Sequence, residues 1–195
     1  MKRTILLTIF TALFAFGTTA SASNWAIDKV HSNVGFDAKH LVISTVEGEF
    51  ADYDATISFE PSDLSTLNVN FTVQIGSINT DNEKRDGHLK SADFFDVETY
   101  PTMTFKSTGV KVTAPGEAEL TGDLTIRGVT KPVTFAVDGF NQPIEFMGTT
   151  KTGGTAKATI NRQDFGVSWN KSLDAGGVLV SDDVNIVLEL ELDMQ

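Results

Sequence analysis

Three histidines, an arginine–aspartate pair and 26 acidic residues are the groups in this sequence that could take part in chemistry. His31 and His40 flank a predicted strand, and His88 lies in a separate polar segment. A three-histidine metal site needs converging rings, yet about 30 Å of extended chain could separate the first two histidines. No His-x-Glu-x-His or His-x-x-x-His pair is present. We therefore predict neither a metal nor another cofactor.

Nucleophilic and redox catalysis also lack a signature in this chain. It contains no cysteine, which excludes disulfides, thiol catalysis and thiolate metal sites. It contains no Gly-x-Ser-x-Gly motif, which marks the nucleophile of many esterases. Most acidic residues fall on polar strand faces or in turns, where solvation accounts for them. We predict that the protein is not an enzyme.

Two polar segments remain open to more than one interpretation. Arg85, Asp86 and His88 could attach a helical segment to the rest of the fold, which we favour, or could hold the polar end of a ligand at a cavity mouth. The turn 161–166, followed by Trp169, carries two large aromatic side chains. They could line a lipid channel or close one end of the fold, and closure is the default interpretation.

The first 22 residues have the features of a secretory signal peptide. Lys2 and Arg3 form a basic start, Ile5 to Phe16 are mostly apolar, and Ala20-Ser21-Ala22 supplies small residues for cleavage. The apolar stretch is short for a membrane span, and no second candidate follows. We predict a cleaved signal at 1–22, a periplasmic location and one mature domain at 23–195.

Charge and composition limit the classes of partner that the mature domain could bind. The whole chain has a net charge of −11, and removing the two basic residues of the signal leaves −13. Such acidity argues against nucleic acid or an anionic membrane surface as partner. The chain is 41% hydrophobic with 14 phenylalanines, which is ample for one core. We predict no integral membrane span.

Alternation of apolar and polar residues dominates the mature chain and predicts strands with one buried face. Clear examples begin at Val34, Leu67, Ala118, Val133 and Val184. Turn signals separate them, at Pro61-Ser62-Asp63, Pro115-Gly116, Arg127-Gly128, Gly153-Gly154 and Gly176-Gly177.

One polar segment breaks this alternation and predicts a short helical insertion. Thr80 and Glu83 have the spacing of a capping box, so the helix is expected to run from there to about Leu89. Another turn is expected between Ser91 and Phe95.

Many one-sided strands must bury their apolar faces against one another, in a sandwich or a closed barrel. Gly122, at an inward position, could leave space for a ligand or could mark a bulge. The alternation alone thus predicts an all-β domain, with a possible apolar cavity.

The sequence resembles the YceI-like family of exported lipid-binding proteins through a series of ordered motifs. These are Trp25-x-Ile27-Asp28-x-x-His31-Ser32-x-Val34-x-Phe36-x-x-x-His40, Val46-x-Gly48-x-Phe50, Ser77-Ile78-x-Thr80, Arg85-Asp86-x-His88-Leu89-x-Ser91-x-Asp93-Phe94-Phe95-Asp96, Tyr100-Pro101, Gly122 to Lys131, Asn161-Arg162-x-Asp164-Phe165-Gly166 and Val180-Ser181-Asp182-x-Val184-x-Ile186. They span the mature chain in order.

The resemblance implies an extended, eight-stranded antiparallel, lipocalin-like barrel whose pore holds a polyisoprenoid or a fatty-acyl lipid, without catalytic residues. A periplasmic lipid carrier is the leading hypothesis. The alternative is a stress-response structural or interaction module whose barrel is filled by side chains. A homodimer is possible.

Inward positions of the strands and nearby aromatics form the predicted pore lining: Phe36, Val69, Phe71, Val73, Phe94, Phe105, Gly122, Leu124, Phe135, Phe165, Trp169, Ile186 and Leu188. His40, Arg85 and His88 are the predicted contacts of the ligand head group.

Overall fold

The structure is a computed structural model that describes residues 22–172 and 178–195. The predicted signal peptide, up to residue 21, and the predicted turn at Gly176-Gly177 lie outside the described residues. Those that are described form twelve strands: β1 Ser23–Ile27, β2 Asn33–His40, β3 Ser44–Phe50, β4 Tyr53–Glu60, β5 Asp63–Gln74, β6 Ile78–Asn79, β7 Thr102–Ala114, β8 Glu117–Ile126, β9 Val129–Gly139, β10 Ile144–Phe146, β11 Thr149–Asn161 and β12 Val180–Met194.

Eight of these strands form a closed antiparallel barrel, as predicted. Their order is β11-β9-β8-β7-β5-β4-β1-β12, and the pairing of β11 with β12 closes the ring. Strand β12 is long enough to pair with β2 and then with β1 along its other edge. Strands β3, β6 and β10 add short pairings at the ends of the barrel.

The inward faces of the strands are those that the alternation predicts. In β5, Leu67, Val69, Phe71 and Val73 are buried while the intervening residues are more exposed. In β8, every second residue from Ala118 to Ile126 is buried. One apolar face per strand is enough to build this core, because closing the sheet turns all the inward faces toward each other.

The helical insertion is present, but its cap differs from the predicted one. Helix α1 spans Glu83–Lys90, and Asn82 caps it by accepting a hydrogen bond from the amide of Arg85 at 3.0 Å. Thr80 does not cap the helix, because its hydroxyl is buried and donates to Asp86 at 2.5 Å. The expected turn after the helix is present, with the amide of Phe94 bonded to the carbonyl of residue 91.

The predicted turn at Gly153-Gly154 is wrong, because both glycines lie inside β11. A Cβ on Gly154 would lie 2.5 Å from the carbonyl oxygen of Asp138 on β9. These glycines therefore permit close approach of neighbouring backbones instead of a reversal of the chain. The reversal before β11 uses Met147 and Gly148, which both have positive φ.

Gly122 is also a close-packing position. Gly122 lies on the inward face of β8, but a Cβ there would lie 2.4 Å from the ring of Phe105 and 2.5 Å from the carbonyl oxygen of Lys106. The Phe105 ring thus already occupies the space that the absent side chain leaves. A larger residue at position 122 would collide with the neighbouring strand, not project into open space.

A cluster of charges joins the start of the barrel to its last two strands. The Asp28 carboxylate lies 2.9 Å from Nδ1 of His31 and 3.1 Å from Nζ of Lys151. Lys151 also lies 2.6 Å from Asp193 and 2.9 Å from Glu191. Bonds from His31 and then Lys151 hold the pKa of Asp28 well below its usual range. Asp28 in turn raises the pKa of His31, and Asp193 with Glu191 raises that of Lys151.

Replacing Gly122 with alanine is expected to destabilise the barrel. The new Cβ must displace the Phe105 ring and the β7 backbone, which costs about 1–3 kcal/mol in the free energy of unfolding. Gly109→Ala on β7 is the control, because a Cβ there meets nothing within 4 Å. Urea denaturation measures both. A Gly122→Ala protein as stable as Gly109→Ala would contradict the assigned packing.

Replacing Asp28 with asparagine is expected to lower Tm more in mild acid than in mild alkali. Asp28 has a lowered pKa, so its contribution is present above its usual value of 3.8 and is lost at lower pH. His31 has a raised pKa, so its contribution is present below its usual value of 6.5 and is lost as pH rises through the raised pKa.

Melting curves of wild type and Asp28→Asn at about pH 5.5 and about pH 8.5 test this window. NMR titration should also show a lower His31 pKa in the variant. In a His31→Gln background, the substitution at Asp28 should have the same effect at both pH values. An unchanged His31 pKa in Asp28→Asn would refute the pairing.

Candidate ligand cavity

The side chains of residues 22–172 and 178–195 do not fill the barrel. It holds a cavity of about 220 Å³, and 34 of the described residues line it. At one end the lining includes Phe59, Phe140 and Leu192, and at the other it includes Phe94 and Phe165. The cavity therefore extends along the barrel and has aromatic side chains near both ends.

Eleven of the thirteen predicted pore positions line this cavity. They come from β2, β5, β7, β8, β9 and β12 and from the segments that follow α1 and β11: Phe36, Val69, Phe71, Val73, Phe94, Phe105, Leu124, Phe135, Phe165, Ile186 and Leu188. Gly122 is not among the lining residues, because Phe105 covers it. The predicted positions thus make up eleven of the 34 described residues that line the cavity.

Trp169, the other exception, belongs to an outer layer over one end of the barrel. Its ring centroid lies 5.1 Å from that of Phe94 and 4.8 Å from that of His88. His88 also packs edge-on against Phe94, at 4.9 Å, and its Nε2 lies 3.2 Å from Asp93. Phe94 lines the cavity on its inner side, so Trp169 and His88 support the wall from outside.

The three predicted head-group residues, His40, Arg85 and His88, are all outside the cavity lining. Arg85 donates from Nε to the Thr80 hydroxyl at 2.7 Å and from Nη2 to the Thr80 carbonyl at 2.6 Å. With Asp86 on the same hydroxyl, it attaches α1 to the segment that precedes it. His40 ends β2, where its backbone pairs with Ser44 and Val180.

Arg162 is a lining residue that we did not single out from the sequence. It is 5% exposed and lies in a short 3₁₀ turn after β11. Nε donates to the Ser181 carbonyl at 2.8 Å, and Nη1 donates to the carbonyls of Val167 at 2.6 Å and Trp169 at 2.9 Å. Nη2 lies 3.2 Å from Asp182. Burial lowers the pKa of Arg162, and Asp182 opposes that shift.

The position of Arg162 explains why a charge is tolerated at this end of the cavity. Its donors satisfy carbonyls that the turn and the start of β12 leave unpaired, so the guanidinium acts as an internal cap. The available signal was a single cation between buried Ile160 and buried Phe165. Sequence alone could not identify the acceptors, which lie up to 20 residues away.

A metal has one candidate position in the described part of the chain, and it is outside the cavity lining. Atoms of Asp28, His31 and Glu191 lie within 4.8 Å of one another. The Lys151 ammonium already lies at hydrogen-bonding distance from both carboxylates. A cation would have to compete with this fixed positive charge. No helix in the described residues has the length and apolar character needed to cross a bilayer.

Comparison with known proteins places the chain among relatives of the same fold. A family model described as the YceI-like domain matches residues 25–192. A UPF0312 protein of Staphylococcus aureus is 38% identical over 176 residues, which is 88% of this chain and 98% of the relative.

Solved structures agree. The YceI protein of Campylobacter jejuni is 34% identical, with a TM-score of 0.71 over 87% of this chain and 96% of that one. A Saccharophagus degradans domain described as polyisoprenoid-binding is 13% identical, with a TM-score of 0.62 over 89% of this chain and 99% of that one, and this likeness concerns the fold. The motifs, the closed barrel and the family match together show that this chain belongs to the YceI-like domain family.

Proposed function

We propose that this protein binds a polyisoprenoid or related long-chain amphiphilic lipid in the barrel cavity and carries it without covalent chemistry. The observation that carries the proposal is the apolar cavity that runs between the two aromatic ends of the barrel. The description of the Saccharophagus degradans relative as a polyisoprenoid-binding domain supports the same ligand class.

The lining supports this ligand class on energetic grounds. Nearly all of the residues that face the cavity are aliphatic or aromatic. A hydrocarbon chain that leaves water for such surroundings gains up to about 0.8 kcal/mol per CH₂ before ordering costs are counted. A long tail could therefore bind tightly with few hydrogen bonds. A barrel filled by side chains, the alternative hypothesis, offers no such volume.

We place this activity in the periplasm. The support is the signal-like composition of residues 1–22 and the charge of −13 on the remaining chain. That charge would keep a loaded carrier dispersed in solution and away from anionic lipid surfaces. The carrier would then exchange lipid between membranes through brief encounters.

Native mass spectrometry of protein purified from the periplasm tests the proposal directly. We expect a chain that begins at Ser23 with one added mass per protein, and organic extraction should release a prenyl or acyl lipid. A bare protein that also fails to take up added prenol or quinone would overturn the proposed function.

Filling the cavity should impair binding. Ala156 lines the cavity from β11, so Ala156→Phe would place a ring in the volume that the tail needs. Ala136→Phe on β9 is a matched control, because residue 136 is exposed on the outer face. We expect at least about tenfold weaker binding of a long prenol for Ala156→Phe, in line with the loss of two or more buried methylenes.

The same pair of variants separates binding from folding. Thermal unfolding should show that the Ala156→Phe protein is folded. A side chain that enters an open cavity restores part of the stability that the empty volume costs. A folded Ala156→Phe protein that binds the prenol as well as Ala136→Phe does would show that the ligand lies elsewhere.

A further inference from the structure

We infer that the cavity binds a single hydrocarbon tail and leaves the head group outside, where the protein makes no specific contacts with it. This inference rests on the proposed function, and it specifies which feature of an amphiphile determines affinity. Single-tailed lipids with different heads would bind alike, whereas two-tailed lipids would be rejected.

The polar inventory of the lining is the first support. Among the described lining residues, polar side chains belong to Thr104 and Arg162. Thr104 is exposed and precedes Phe105, whose side chain faces inward, so its hydroxyl is directed to the outer face of β7. The guanidinium nitrogens of Arg162 are occupied by protein carbonyls and by Asp182.

The backbone offers little more, because the strands that surround the cavity use their amides and carbonyls in the barrel pairings. A hydroxyl, carboxylate or phosphate drawn into this cavity would lose its water and gain no partner among the described lining residues. Burying an unpaired polar group is strongly unfavourable, and burying a charge is more so. The head group is therefore more stable outside the cavity.

The predicted head-group contacts give no reason to move it inside. Arg85 is engaged with Thr80, and His88 packs its ring against Phe94 and Trp169. His40 lies at the end of β2, outside the lining. Each would meet a head group only in the surrounding solvent, where exposed polar contacts add little discrimination.

The width of the cavity is the second support. Lining residues on β12 run from Val180 to Leu192, which is about 40 Å of strand and about 30 Å along a barrel axis for a tilt of about 40°. The volume of about 220 Å³ over that length, with a water radius of about 1.4 Å added, gives a channel about 6 Å wide.

This width admits one chain. Carbon atoms of neighbouring chains pack at about 4 Å, so one tail fits within the channel, whereas two tails side by side need about 8 Å. A diacyl lipid would have to leave one tail in water or widen the barrel by breaking pairings between strands. The number of tails should therefore change the affinity of a lipid more than the chemistry of its head group does.

Isothermal titration of the lipid-stripped mature protein with a matched ligand series tests the inference. Geranylgeraniol, its methyl ether and the corresponding carboxylate share one tail, and their Kd values should agree within about threefold, since polar contacts in solvent add little. Geranylgeraniol, farnesol and geraniol share one head, and each lost isoprene unit should weaken binding at least about tenfold. Lysophosphatidylcholine should bind at least about tenfold more tightly than diacyl phosphatidylcholine with the same chains, because one tail fits.

Two results would overturn the inference while leaving lipid binding intact. One is a Kd that changes more than about thirtyfold with the head group at constant tail, which is more than solvent-exposed contacts explain. The other is equal binding of the one-tailed and two-tailed phospholipids. A protein that binds none of these ligands would instead overturn the proposed function, and the inference with it.

The variant His40→Ala tests the inference by changing the protein instead of the ligand. The substitution should change the Kd of both the alcohol and the carboxylate by less than about threefold, because the side chain lies outside the lining. A loss of affinity for the carboxylate alone would show that the protein reads the head group and would refute the inference.

Discussion

The pairing of β11 with β12 is the interaction on which the rest of this structure depends. It joins eleven consecutive residue pairs, from Lys151 with Asp193 to Asn161 with Asp183, and it converts an open sheet into a barrel. In an open sheet the apolar faces of all the strands would be exposed to water. Closure turns them toward a common axis, so the cavity exists only because these two strands meet.

Closure demands unusually close contact between backbones where β9, β11 and β12 meet, and glycines make that contact possible. Gly139 has a φ of +100°, and a Cβ on it would lie 2.7 Å from the carbonyl oxygen of Gly153. The ion pairs of Lys151 lie beside this region and connect β11 to Asp28, which follows β1, and to β12. Backbone contact and charge pairing thus secure the same seam of the barrel.

Sequence reasoning succeeded where the alternation along a strand shows which of its faces is buried in the barrel. Alternation in β5, β8 and β12 follows from one buried face per strand, so inward positions such as Phe71, Leu124 and Ile186 could be read directly. It failed where a residue's partner is distant in sequence. The glycines at 153 and 154 suggested a turn, although Gly154 packs against Asp138 and Phe140 across the sheet and Gly153 lies beside the Leu190 carbonyl.

The same limit applies to the polar residues of the site. Thr80 has the spacing of a helix cap, but Asp86 and Arg85 recruit its hydroxyl and carbonyl instead. The acceptors of Arg162 come from the segment that follows its turn and from the start of β12. Gly122 and Trp169 were expected in the pore, yet Phe105 covers the first and Phe94 separates the second from the cavity.

The cavity is itself an argument about function, because protein interiors are normally packed to the density of organic crystals. An unfilled volume of about 220 Å³ costs on the order of 5 kcal/mol of stability. The chain does fill its interior elsewhere, since the Phe105 ring occupies the space beside Gly122. Small residues such as Ala38 and Ala156 nevertheless face the cavity, where larger ones would close it. A hydrocarbon tail recovers the missing contacts, so the free energy withheld from folding becomes available for binding.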